Sequence, residues 1–235
     1  MKIKSENEKA HVISKKRVTA YGEVYTRKRE VNAMLDLVKQ ETERIDSRFL
    51  EPACGTGNFL VEILKRKLIE VERRYKRSQF EYEMYSLIAV SSLYGIDLLE
   101  DNIHECRNRL FNIFNEKYTD IFKNNAKDAL RDSIKRILDL NIIQGDALHF
   151  ITVGHNPQPI VFSEWSPVNG SKIKRRDFSF EELIMYGEES VQTTFFKESK
   201  QMSMFSDLGD RCFIPKPIKD FSPIHFLKLG DLDEN

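Results

Sequence analysis

Apolar positions along the first 165 residues switch between two spacings. Within Arg29–Gln40, Val31, Met34, Leu35 and Val38 take the spacing of one helical face. "SRFLEPA" then reads as a short buried strand. Phe59, Leu60, Ile63, Leu64, Leu68 and Val71 keep a 3.6-residue period and predict a long helix. "FEYEMYSLIAVSS" predicts a further helix, and "LYGIDL" (Leu93–Leu98) a strand. Leu99, Ile103, Cys106 and Leu110 mark the next helix; Leu130, Ile134 and Ile137 mark another. "IIQGDAL" (Ile142–Leu148) is a strand entering a turn, "GHNPQP" (Gly154–Pro159) a loop, and "IVFSEW" (Ile160–Trp165) a further strand. Strands alternating with helices predict an α/β fold with a parallel sheet and right-handed crossovers. After Trp165 the alternation fades: "FSFEELIMYGEESVQTTFFKES" has helical character, and the tail "FIPKPIKDFSPIHFLKL" is extended and proline-containing.

Composition bounds this reading without changing it. At 235 residues, 40% hydrophobic and 31% charged, the chain suits a soluble globular protein with one good core. No apolar run approaches the length of a membrane span, and the N-terminus lacks an apolar signal core. Net charge is zero, so affinity for nucleic acid must come from a local patch. Cys54, Cys106 and Cys212 are far apart and odd in number, which argues for a reducing cytoplasm rather than a disulfide framework. The five histidines lack metal-ligand spacing, so no metal is expected.

Candidate chemistry lies at the strand ends. In "FLEPACGTGNFLVEIL" a strand passes an acid, Glu51, then Gly55 and Gly57, and enters a helix. Glycine there lets a ligand approach the backbone with no Cβ in the way. Open α/β sheets bind ligands at the carboxyl ends of their strands. Glu51 can accept from a cationic group, which suits a ligand joining an ammonium group to an adenosine. Asp97 stands where an acid grips ribose hydroxyls, about 40 residues after the glycines rather than the usual ~20; the extra helix between them accounts for the difference. Asp146 ends a third strand and can accept from an adenine amine. Any one of these acids is more often a helix cap or turn residue, but three strand ends that each carry an acid are harder to dismiss as caps.

In the order "EPACGTGNF", "YGIDLLEDN" and "GDAL", preceded by "YGEVYTRKREVNAML", the sequence resembles bacterial adenine-N6 DNA methyltransferases of restriction–modification systems over roughly residues 20–150. The resemblance implies a Rossmann-like class I fold that binds S-adenosylmethionine (SAM). It implies that Glu51 faces the methionine ammonium group. Pro52, Ala53, Cys54, Gly55, Gly57 and Asn58 line the turn, Asp97 holds the ribose, and Asp146 with Ala147 meets the adenine. Tyr25 and Thr26 touch the methionine carboxylate or nearby backbone; Arg27 follows where many relatives carry proline. DNA is the implied substrate and the cytoplasm the implied location.

The sequence departs from the family in two respects. The catalytic Asn/Asp-Pro-Pro-aromatic motif, which holds the flipped adenine, is missing. By position, the end of a fourth strand supplies Ser163, Glu164 and Trp165: a divergent site, or a strand end with a partly buried tryptophan. "NPQP" (Asn156–Pro159) has a similar composition but lacks the aromatic and precedes the strand. Only 68 residues follow Pro167, so the sheet is expected to be incomplete or atypical at its C-terminal end. Beyond it, Lys172, Lys174, Arg175 and Arg176 form a basic run suited to DNA phosphates or to a solvated loop. The expected organisation is a basic arm over 1–20, a SAM-binding domain over 21–168 and an extension over 169–235. Two alternatives to a DNA adenine methyltransferase stay open. One is an inactive SAM- and DNA-binding accessory subunit that needs a second protein subunit. The other is a methyltransferase for RNA or small molecules.

Overall fold

The computed structural model describes residues 26–188, 204–205, 211–212 and 215–232. The expected arm over 1–20, Tyr25 and the end of the expected helix beyond residue 188 lie outside them.

Three strands, β1 (Phe49–Glu51), β2 (Leu93–Asp97) and β3 (Ile142–Asp146), lie side by side and parallel. Register pairs Glu51 with Gly95 and Asp97 with Gln144. A two-residue strand, β4 (Ile151–Thr152), closes the β3 edge in the antiparallel sense. Between β1 and β2 run helices α3 (Asn58–Tyr75) and α4 (Gln79–Ser91). Between β2 and β3 run α5 (Glu100–Phe122) and α6 (Asp128–Asn141). Helices α1 (Lys28–Asp36) and α2 (Lys39–Glu43) precede the sheet.

Strand alternation divides the core in two. Leu93 and Ile142 belong to the large cluster built by the helices, with Leu64, Leu68, Leu87, Leu110, Phe114 and Ile134 fully buried. Tyr94, Ile96 and Ile143 belong to a second cluster with Ile160, Phe162 and Phe180. Helix α3 buries Leu60, Ile63, Leu64, Leu68 and Val71, as its period predicts. The face predicted for the first helix is cut short: Val31 and Leu35 are buried, but Met34 and Val38 are exposed. The helix ends at Asp36, and Val38 leaves its line to cap α2.

The fourth strand differs from the expectation. Strand β5 (Val161–Pro167) does not join β1–β3 among the described residues. It pairs antiparallel with β6 (Lys172–Ser179) as a hairpin, flanked by β9 (Lys219–Asp220) and β10 (Ile224–His225). The hairpin packs on the face of the sheet that carries Tyr94 and Ile96, where Phe162 meets Tyr94 edge-on and the Tyr94 hydroxyl donates to Ser163 O at 3.2 Å. The expected division at residues 168 and 169 falls at the turn of this hairpin. Helix α7 (Phe180–Glu188) follows β6. The pair β7 (Met204–Phe205) and β8 (Arg211–Cys212) forms a separate ribbon. A 3-10 turn, Phe226–Asp231, packs against α6. No described helix is long and apolar enough to cross a membrane.

A candidate cofactor-binding edge

The parallel register puts Glu51, Asp97 and Asp146 on the same, carboxyl-terminal edge of three adjacent strands. Between Glu51 and α3 the chain makes a tight turn. Cys54 N–H donates to Ile96 O at 2.8 Å, and Gly57 N–H to Cys54 O at 2.8 Å. Both glycines are left-handed, Gly55 at φ 51° and Gly57 at φ 83°. They differ in surroundings. A Cβ on Gly55 would meet nothing within 4 Å, so this stretch of backbone faces open space. A Cβ on Gly57 would lie 2.5 Å from Cys106 Sγ. Gly57 therefore lets the start of α3 close onto α5, and Gly55 leaves the edge uncovered.

Asp97 ties the turn to the next helix. Its Oδ2 accepts from Gly55 N–H at 2.9 Å, while Oδ1 accepts from Leu99 N–H at 2.9 Å and Asn102 Nδ2 at 3.0 Å. Asp146 folds its own turn by accepting from Leu148 N–H at 2.9 Å and His149 N–H at 3.3 Å, and it pairs with His149 Nδ1 at 2.7 Å. The neighbouring His149 holds the Asp146 carboxyl below the usual carboxylate range. Glu51 is different. Burial pushes its carboxyl up, with only Ala53 N–H, at 3.4 Å, opposing the shift. A half-buried carboxylate with so little compensation is a ready partner for a cation. Ala147 adjoins Asp146 and belongs with the second cluster, and Pro52 precedes the turn.

Three residues at this edge carried no sequence signal of their own. Arg109, on α5, donates from Nη1 to Thr56 O at 2.6 Å, Thr56 Oγ1 at 3.0 Å and Asn58 Oδ1 at 2.9 Å. Asn58 Nδ2 in turn reaches Thr26 O at 3.4 Å, which fastens the N-terminal segment to the turn. Asn102 and His149 support the two aspartates. Their spacing (Cys106 and Arg109 three apart on one helical face, His149 three after Asp146) is visible in sequence only once the partners are known.

Ser163, Glu164 and Trp165 do not stand at this edge. Strand β5 begins beside its carboxyl-terminal side, with Ile160 against Gly145, and runs away from it. Trp165 ends beside residues that precede β1 and β2, in a hollow of about 400 Å³ lined by Ile45, Tyr85, Ser92 and Glu164 among others. The Ser163 hydroxyl donates to Asp177 Oδ1 at 2.8 Å. Glu164 is ion-paired with Arg48, and with Arg176 at 2.9 Å. The structure thus holds this triplet apart from the three edge acids: β5 starts beside Gly145 and ends beside Ile45 and Ser92. "NPQP" remains an exposed loop between β4 and β5.

The basic run lies on β6 rather than on a loop. Lys172 is exposed. Lys174 pairs with Asp220 at 2.9 Å, Arg175 forks onto Asp177 at 2.7 and 2.8 Å, and Arg176 pairs with Glu164. Arg175 also lies over the Trp165 and Phe221 rings. Three of the four charges are thus matched within the chain.

Comparison with known proteins agrees with the region singled out by the motifs. The chain is 26% identical over 148 residues to "DNA methyltransferase A" of Bacillus subtilis (strain 168); that alignment covers 60% of this chain and 17% of the relative. The chain thus spans about a sixth of that relative's length. No solved structure matches. The profile described as "MmeI, DNA-methyltransferase domain" matches residues 25–151, the stretch that holds the glycine turn, all three edge acids and β1–β3, and the chain belongs to this restriction–modification methyltransferase family.

Proposed function

We propose that this chain is the SAM-binding part of a DNA methyltransferase that modifies the N6 amine of adenine within a restriction–modification system. One observation carries the reading: three carboxylates end three adjacent parallel strands beside a turn whose Gly55 backbone faces open space. SAM supplies an activated methyl group on a sulfonium. The residues present fit such a group. Glu51, raised by burial and poorly compensated, matches the ammonium. The Gly55–Gly57 turn, with Cys54 and Asn58, offers bare backbone to the methionine end, and Thr26 is fastened beside it. Asp97 carries acceptor oxygens toward the ribose position, and Asp146 with Ala147 toward the adenine. This edge binds and orients; the polar and aromatic groups that hold a flipped base come from outside the described residues, from more of the protein or from a second subunit.

A second reading, an accessory subunit that binds SAM and DNA without transferring a methyl group, is favoured by the position of Ser163–Trp165 away from the edge. The run Lys172, Lys174, Arg175 and Arg176 keeps a part in DNA binding only if its ion pairs open, because phosphate attraction depends on uncompensated charge.

Calorimetric titration with SAM tests the reading directly. The wild-type chain is expected to bind, and Glu51→Gln to bind about 10- to 100-fold more weakly, the loss of one charge-assisted contact. Absence of heat with the wild-type chain would sink it. Transfer of labelled methyl from SAM to duplex DNA, with and without co-expressed neighbouring gene products, separates the two readings. Duplexes already methylated at adenine N6 report the target atom, and RNA or small acceptors report the substrate class.

A further inference from the structure

Helix α5 touches the glycine turn at three points. Its first turn hangs from Asp97, which also takes Gly55 N–H. Its second turn presents Cys106, whose sulfur occupies the space a Gly57 side chain would need. One turn further along the same face, Arg109 grips the rest. Thr56 is flanked by two left-handed glycines, so the backbone there has little steric restraint of its own. Arg109 supplies that restraint by bonding both the carbonyl and the hydroxyl of Thr56. Its third bond, to Asn58 Oδ1, fixes the amide that holds Thr26 O.

A single guanidinium nitrogen thus spans the turn, the start of α3 and, through Asn58, the N-terminal segment. Among the described residues Arg109 has no carboxylate partner, so nothing competes with the turn for it. Lysine could reach one or two of these acceptors. Its ammonium carries three N–H donors, but on a shorter, flexible stem that holds them in no fixed direction.

We propose that Arg109 is a positioning residue for the methyl donor: acting through Thr56 and Asn58, it holds the glycine turn and the Thr26 segment in the one arrangement that receives the amino-acid end of the ligand. The inference rests on the SAM-binding reading above. It adds a selectivity that reading does not require. Loss of Arg109 loosens the turn, including the Gly55 N–H bond to Asp97; toward the nucleoside, Asp97 keeps its bonds from Leu99 N–H and Asn102, and Asp146 keeps those from Leu148 and His149.

The test compares wild type, Arg109→Gln and Arg109→Lys with two ligands, SAM and 5′-methylthioadenosine, which lacks the amino-acid end. Arg109→Gln is expected to weaken SAM about tenfold or more, with methylthioadenosine affinity held within about twofold; a charged hydrogen-bond network of this kind contributes that much. Arg109→Lys recovers part of the loss. Hydrogen exchange on the ligand-free chain gives a readout independent of binding. The Gly55 and Gly57 amides are expected to exchange at least tenfold faster in Arg109→Gln, with the β2 amides unchanged as the control for folding. Equal weakening of both ligands, or an unmoved SAM affinity, overturns the proposal while the SAM reading stands. A wild-type chain that binds neither ligand overturns both, and that outcome is read before any variant is made.

Discussion

The backbone N–H of Gly55 lies 2.9 Å from Oδ2 of Asp97, 42 positions further along the chain. One carboxylate therefore closes two turns at once: the glycine turn after β1 and, through Leu99 and Asn102, the start of α5. The acid expected to serve a ligand also holds the edge together before any ligand arrives. Its spare acceptor capacity, not the whole carboxylate, is what remains for a ribose.

Asp97→Ala removes three hydrogen bonds to a charged acceptor, so the fold is expected to lose about 2–4 kcal/mol. Asp97→Asn keeps the shape and one acceptor oxygen, and is expected to cost about half as much. Urea denaturation midpoints at neutral pH check the order; an alanine variant as stable as wild type would contradict the shared role.

The two glycines should separate stability from binding. Gly57→Ala places a Cβ against Cys106 Sγ at a left-handed φ, a combined cost of about 2–4 kcal/mol. The double variant Gly57→Ala/Cys106→Ala should regain part of that cost, as a double-mutant cycle would show. Gly55→Ala meets no atom, so its expected cost is only about 1–2 kcal/mol, from backbone conformation. Its added methyl blocks the open backbone, and SAM affinity is expected to fall more than for any variant of equal stability.

Trp165 is nearly buried at the far end of the hairpin, and its indole N–H finds no partner among the described residues. Trp165→Ala is expected to destabilise the chain by about 3–5 kcal/mol, as a large deletion from a packed cluster does. SAM affinity, measured well below the melting temperature, should stay within about twofold. A selective loss of SAM binding at unchanged stability would return Trp165 to the site.

Lys67 is fully buried beneath the sheet, donating to Ile45 O at 3.1 Å, Ser92 Oγ at 2.6 Å and Ser47 O. Burial brings its pKa down to about 7, against 10.5 in the unfolded chain. Between these values the unfolded chain holds the proton and the folded chain does not. Lys67 therefore makes stability rise with pH from about 7 toward 10, by up to about 1.4 kcal/mol per pH unit. Below pH 7 both states are protonated and this slope vanishes. Lys67→Met should flatten the rise between pH 7 and 9 in denaturant melts; an identical slope would show that the ammonium finds water or a counter-charge on folding.

Hydrophobic spacing and strand-end chemistry determined much of this protein without coordinates. The helix over Asn58–Tyr75, the strands at Phe49, Leu93 and Ile142, and the order acid, glycine turn, acid, acid follow from patterns a few residues long, because helical and strand periods are local. Only the tertiary structure decided which neighbours meet. Strand β5 has the composition of a fourth parallel strand, but direction and sheet membership depend on distant partners, so Ser163, Glu164 and Trp165 went to the opposite side. The charges of Lys174, Arg175 and Arg176 look free in a linear string and are matched by Asp220, Asp177 and Glu164 once the hairpin closes. Arg109 is one basic residue among 37 until α5 packs beside the turn. Pairing and charge compensation are long-range, and that is why the order of edge acids and glycines was legible in the sequence and its supports were not.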